Sequence, residues 1–262
     1  MTSYEALNNT ASRTDLLTQL NNQGAKGFNY FGPNILGGAG FNLYAKDSST
    51  TFSYEILDTQ STGATFVAQL NSQGAKGFDF YGPTTVGTVY VKESNAASNT
   101  FEVLAAPTTA AGFLSQINAQ GDKGFLYMGP YSLGNIYGKS SSGNAKYSYR
   151  LAAQPATHDA LVTQANVQGQ EGYKFGGLEI LSGDPAGAFV NIYVKDTYQA
   201  SKFEWKTNFT ATSAANLVAQ ANTEGAANFV YWFSVILGST TREVYFKPTN
   251  CSGVLCRGTS PL

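Results

Sequence analysis

The chain has 262 residues, 42% of them apolar and 13% charged, with a formal net charge of −1. That much apolar material supports a packed core and excludes wholesale disorder, while the absence of excess positive charge argues against a nucleic-acid binder that works by neutralising phosphates. No run approaches the ~18 apolar residues of a membrane span, and a single histidine with two cysteines offers a poor ligand set for zinc.

The dominant pattern is internal repetition. Gln19-Leu-Asn-Asn-Gln-Gly-Ala-Lys-Gly-Phe28 returns at 69–78, 116–125 and 164–173, and in its most altered form at 220–229. Its first glycines, Gly24, Gly74, Gly121, Gly169 and Gly225, set out five units, about 1–50, 51–98, 99–145, 146–199 and 200–248. Residues 1–248 are read as one domain and 249–262 as a C-terminal tail.

Each unit reads as β-α-β-β. The first strand holds Tyr4-Glu5, Phe52-Ser-Tyr-Glu55, Phe101-Glu102, Tyr147-Ser-Tyr-Arg150 or Phe203-Glu-Trp205. Ser12, Thr62, Thr109, Thr157 and Ser213, all at one distance before the glycine, are the expected helix N-caps. Apolar residues between cap and glycine, such as Phe66, Val67 and Leu70, form one helical stripe. The glycine itself is expected at the left-handed position that stops a helix of about eleven residues. Three residues on, Gly27, Gly77, Gly124 and Gly172 give way to Asn228. Asparagine is the non-glycine residue that best tolerates positive φ, so this loop position is predicted to be left-handed in every copy.

The second strand opens on the next aromatic, Phe28, Phe78, Phe125, Tyr173 or Phe229, and in three copies runs to a Gly-Pro expected to end it. The third strand carries Tyr-x-Lys in all five units: Tyr44 and Lys46, Tyr90 and Lys92, Tyr137 and Lys139, Tyr193 and Lys195, Tyr245 and Lys247. In the tail, Cys251 and Cys256 close a short loop that reads as a disulfide, which belongs in an oxidising compartment.

Strand alternation sorts the faces. Val89 and Val91 are expected against the helix, which sends Tyr90 and Lys92 to a helix-free face shared with acids such as Glu55. Two readings of that face follow. In one, Lys stems lie on Tyr rings and pair with Glu5, Glu55, Glu102 or Glu204 as a ladder within or between units. In the other, the ten Tyr-x-Lys residues form a repeated platform on which a flat polar ligand, best a glycan, stacks. Gln-x-Asn, as in Gln19 and Asn21, recurs five times beside the helical stripe, where amides bond loop or neighbouring backbone.

The motif Leu-Asn-x-x-Gly-x-x-Gly-aromatic between a first strand and a basic-ended last strand resembles small bacterial β-α-β-β domains of unknown function, which usually carry Trp where Phe28, Phe78 and Phe125 stand. That resemblance implies the fold of each unit and no activity. Five such units are also similar, as a fold, to the five-fold α/β propellers that include guanidine-modifying enzymes. The cysteine nucleophile and histidine of those enzymes have no counterpart, since Cys251 and Cys256 lie in the tail and His158 begins a helix at a partly exposed position. The glycines of Gly74-Ala-Lys-Gly77 follow a helix instead of leading into one, so they make no phosphate loop.

The resulting expectation is an α+β protein of five tandem β-α-β-β repeats. These form a pseudo-symmetric, propeller-like ring with helices outside, or an open array. No catalytic residue, metal or cofactor is assigned. The expected role is a non-enzymatic structural or binding protein, extracellular, on the cell surface or periplasmic, that self-assembles or binds glycan. The alternatives are multivalent carbohydrate binding by the Tyr-x-Lys face and an enzyme with a site on the pseudo-symmetry axis. Copy four, with Arg150 in place of Glu and an insertion at 181–187, is where a break in the pattern points.

Overall fold

The computed structural model describes residues 1–47, 50–183 and 188–258, so most of the copy-four insertion lies outside the described residues. Unit 1 consists of β1 (Ser3–Asn8), α1 (Arg13–Ala25), β2 (Asn29–Leu36) and β3 (Ala39–Lys46); unit 2 of β4 (Phe52–Leu57), α2 (Gly63–Ala75), β5 (Asp79–Thr84) and β6 (Gly87–Glu93). Unit 3 has β7 (Asn99–Leu104), α3 (Ala110–Asp122), β8 (Leu126–Tyr131) and β9 (Gly134–Ser140); unit 4 has β10 (Tyr147–Ala153), α4 (His158–Gln170), β11 (Lys174–Leu181) and β12 (Ala188–Asp196). Unit 5 has β13 (Lys202–Phe209), α5 (Ala214–Ala226), β14 (Val230–Leu237) and β15 (Thr240–Thr249), and the tail adds one 3-10 turn, Val254–Cys256. Within each unit the third strand lies between the other two and pairs antiparallel with both. The topology is the α+β repeat expected from the sequence.

All five predicted N-caps accept a first-turn N–H, for example Ser12 from Asp15 at 3.1 Å and Thr109 from Gly112 at 3.2 Å, each worth about 1 kcal/mol. The loop position is left-handed in every unit, with φ of 87° at Gly27 and 64° at Asn228. Two local expectations are corrected. The helices run 13 residues and pass through the first glycine, which does not stop them. The second strands also do not end at Gly-Pro. Each continues past a β-bulge, between Tyr30 and Gly32 in unit 1 and at the matching place elsewhere. Proline is tolerated there because the second strand is an edge of its sheet and needs no N–H on that side.

The first glycine has a different purpose. A Cβ built on Gly24, Gly74, Gly121 or Gly169 would fall well inside 3.0 Å of a backbone carbonyl oxygen in the next unit's first strand: Phe52, Asn99, Tyr147 or Phe203. Glycine is what lets the two backbones approach so closely. Beside each contact the helix asparagine clamps the same strand. Asn21 accepts the Tyr54 N–H at 2.9 Å and donates to its carbonyl at 3.3 Å. Asn71, Asn118 and Asn166 do the same to Phe101, Tyr149 and Trp205. The set repeats between the ends of the chain: Gly225 meets the Thr2 carbonyl, and Asn222 exchanges both bonds with Tyr4 at 2.8 and 3.3 Å.

Candidate functional site

The expected helix-free Tyr-x-Lys face does not exist. Each sheet has helices on both sides: its own helix on the tyrosine face and the preceding unit's helix on the valine face. Tyr90 packs with Phe66 and Leu70 of α2, while Val89 and Val91 pack with Leu16 and Leu20 of α1. Tyr44, Tyr90, Tyr137, Tyr193 and Tyr245 are fully buried. Each donates its hydroxyl to a helix glutamine of its own unit, Gln19, Gln69, Gln116, Gln164 or Gln220, at 2.7–2.8 Å. The rings therefore offer no face on which a ligand could stack.

The lysines are also occupied. Lys46, Lys92, Lys139, Lys195 and Lys247 stand 5.5–5.7 Å from the aromatic ring that opens the second strand. Lys46, Lys139 and Lys195 donate to the carbonyls that end α1, α3 and α4, where a cation also favours the helix dipole. The acids find other partners than lysine: Glu5, Glu55 and Glu102 accept from Gln23, Gln73 and Gln120. In unit 4 the pair becomes Arg150 with Gln168 and Glu171, and in unit 5 it becomes Lys206 with Glu224. Glu204, read as the unit-5 acid, lies outside this pairing and is exposed.

What differs between units gathers on the second strands. Their contacts run from each unit to the next: Tyr30 with Tyr81 at 4.8 Å, Phe80 with Tyr131 at 6.1 Å, Tyr127 donating to Glu179 at 2.7 Å, Phe175 with Phe233 at 5.5 Å, and Tyr231 with Phe31 at 5.3 Å. The extra residue of the bulge is Phe31, Tyr81, Met128, Gly176 and Trp232 in turn. At the one glycine, a pocket of about 740 Å³ opens among the second strands of units 1, 2, 4 and 5. Its walls are mainly Phe31, Tyr81, Leu178, Trp232, Phe233 and Ile236, with Gln154 and Ser234 as polar groups. The Ser234 hydroxyl is committed to the buried Glu243 at 2.6 Å. Aromatic walls with few polar groups suit a compact apolar ligand.

The tail lies against the same strands. Cys251 and Cys256 form the expected disulfide, with Cα atoms 5.5 Å apart. Arg257 pairs with Glu93, and its carbonyl accepts from Lys174 at 3.4 Å. Lys174 is fully buried, its amine 3.7 Å from the Trp232 ring and 4.5 Å from the Phe246 ring. Burial holds its pKa well below the usual lysine value. His158 is buried, contrary to expectation, and sits between the Val235 carbonyl and the Thr240 hydroxyl of the unit-5 hairpin. Among the described residues no group of three His, Cys, Asp or Glu could hold a metal, and no helix is long and apolar enough to cross a membrane.

Sequence reasoning missed Gly176 and Lys174 because it read the frame common to all copies. Their signal was variation within that frame: the residue two after the left-handed glycine or asparagine is Asn29, Asp79, Leu126, Lys174 or Val230, and the residue four after it is Phe31, Tyr81, Met128, Gly176 or Trp232. No known protein family, curated protein or solved structure matches the chain.

Proposed function

We propose that the chain closes into a five-unit ring of the α/β-propeller type, helices outside, and serves as a non-enzymatic binding protein in an extracytoplasmic compartment, with a compact apolar or aromatic ligand seated on the ring axis. The observation that carries the ligand site is Gly176: the bulge residues Phe31, Tyr81 and Trp232 bring large side chains to the pocket wall, and Gly176 brings none. The disulfide supports the compartment. Closure is supported by the Gly225–Thr2 approach and the Asn222–Tyr4 clamp, which match the joints between consecutive units. A closed ring also leaves no end repeat in need of a cap.

Two measurements test this reading. Asn222→Ala strands the Tyr4 N–H and C=O just as Asn118→Ala strands those of Tyr149, so in a ring both lose about 2–3 kcal/mol in denaturant unfolding; in an open array Asn222→Ala is close to neutral. The uncharged fluorescent probe N-phenyl-1-naphthylamine is expected to bind once per chain and to quench Trp232. Gly176→Met, which adds a long side chain to the pocket wall at a position without positive φ, weakens that binding about tenfold or more. Binding unchanged in Gly176→Met would remove the axial site. A second reading, self-association, is favoured by Ile35, Ile180, Phe189 and Ile236, which are exposed toward the hairpin ends of units 1, 4 and 5. Light scattering over a range of concentrations separates it from ligand binding.

A further inference from the structure

We infer that a second cleft, between units 2, 3 and 4 and the disulfide-bound tail, is a binding site for a neutral or amine-bearing oligosaccharide. The cleft encloses about 720 Å³, within the usual range for small-ligand sites. Unit 3 departs from the repeat in its wall: Gly138 stands where the other units carry Ala45, Val91, Val194 and Phe246, and the Met128 side chain packs over it.

The walls combine the two features that sugar recognition needs. The first is an aromatic ring held open to solvent. Tyr198 lines the cleft and is 66% exposed, although the tyrosines of the repeated frame are buried. Its backbone is fixed, because the Asp196 carboxylate accepts the Tyr198 N–H at 3.0 Å and the Gln199 amide at 2.8 Å. A ring so placed meets the C–H face of a pyranose. The second feature is a set of groups that both donate and accept, as a sugar hydroxyl does: Asn95 and Asn144, which line the same cleft as Asp79.

Asp79 is the residue hardest to explain by folding alone. It is half-buried and accepts from Asn99 at 2.7 Å, and unit 1 fills the same position with the neutral Asn29. Desolvation, with the neighbouring Glu93 adding and Arg257 opposing, pushes its pKa up to about 6, so keeping an acid there destabilises the fold near neutral pH. That strain is accounted for if the carboxyl faces a ligand.

The charge balance narrows the ligand. Glu93 and Arg257 neutralise each other, and Lys139 is turned to the end of α3. Asp79 and Asp196 add two further carboxyl groups to the same walls, so phosphates and acidic sugars are disfavoured. One wall is the tail itself, through Gly253, Val254 and Arg257, which makes the site dependent on the Cys251–Cys256 bond.

The test is ligand-observed NMR and calorimetry on the oxidised full chain, with oligomers of glucose, galactose, N-acetylglucosamine and glucosamine. At least one series is expected to bind. Tyr198→Ala should weaken it about tenfold or more, Tyr198→Phe should retain it, and disulfide reduction should weaken it. Gly176→Met, which blocks only the axial pocket, should leave it unchanged. Tyr198 is exposed, so its substitution leaves the thermal unfolding profile intact. The inference is overturned if none of the four series binds, or if Tyr198→Ala binds as well as the parent.

Discussion

Gly121→Ala is expected to destabilise the protein by about 3 kcal/mol or more, and to lower its melting temperature by about 6 °C or more. The added methyl is small, but it lands on the Tyr147 carbonyl of unit 4, and that carbonyl belongs to a backbone that cannot rotate aside. Relief requires α3 and β10 to separate. Separation loosens the Asn118 clamp and the packing of Ile117, Tyr147 and Tyr149 in one core cluster. Helix propensity argues the other way, since alanine is favoured over glycine by about 1 kcal/mol inside a helix. Gly63→Ala isolates that opposing effect: Gly63 begins α2 with nothing within 4 Å of the position a Cβ would take, and the substitution should raise stability by about 0.5 kcal/mol. Chemical unfolding of the two variants side by side decides the matter. If Gly121→Ala behaves like Gly63→Ala, the close approach between units is wrong.

The same glycine shows why the fold was readable and the joints were not. Period, caps and strand alternation are local properties of one unit, and a sequence repeated five times states them five times. The left-handed loop could even be deduced from the single exchange of glycine for Asn228. Gly24 and its counterparts, by contrast, answer to the backbone of the next unit. A glycine near the end of a helical pattern therefore looks like a stop signal when only its own unit is considered. The Tyr-x-Lys face was misassigned for the same reason. Alternation correctly separates Tyr90 from Val91, but each sheet meets two helices, and strand pattern alone cannot say which helix covers which face. Gln69 carried the missing information, since a glutamine recurring at the edge of the helical stripe is the partner a buried tyrosine hydroxyl needs. The candidate sites lay further out of reach. Gly176, Gly138, Lys174 and Asp79 are exceptions to the repeat, and an exception acquires meaning only when the topology brings it beside others.

Lys174→Met is expected to stabilise the protein by about 2 kcal/mol near pH 7, a large effect for one substitution that removes a hydrogen bond. Two forces act on the amine. The Trp232 and Phe246 faces favour the ammonium form, whereas complete burial with one carbonyl partner among the described residues disfavours it. Burial dominates, and the folded-state pKa lies well below that of the unfolded chain. The unfolded state therefore binds more protons at every pH between the two values, so the parent protein gains stability as pH rises toward lysine's ordinary value near 10.4. Methionine, similar in length and without a charge to desolvate, lacks this dependence. Denaturant unfolding of both proteins between about pH 6 and pH 10 should show the advantage of Lys174→Met greatest at the acidic end and shrinking steadily toward the alkaline end. The reverse outcome, a variant less stable at every pH, would mean that the two rings and the Arg257 carbonyl hold a charged ammonium at a net gain. In that case the tail is fastened to unit 4 by a cation, and not merely laid over a buried neutral amine.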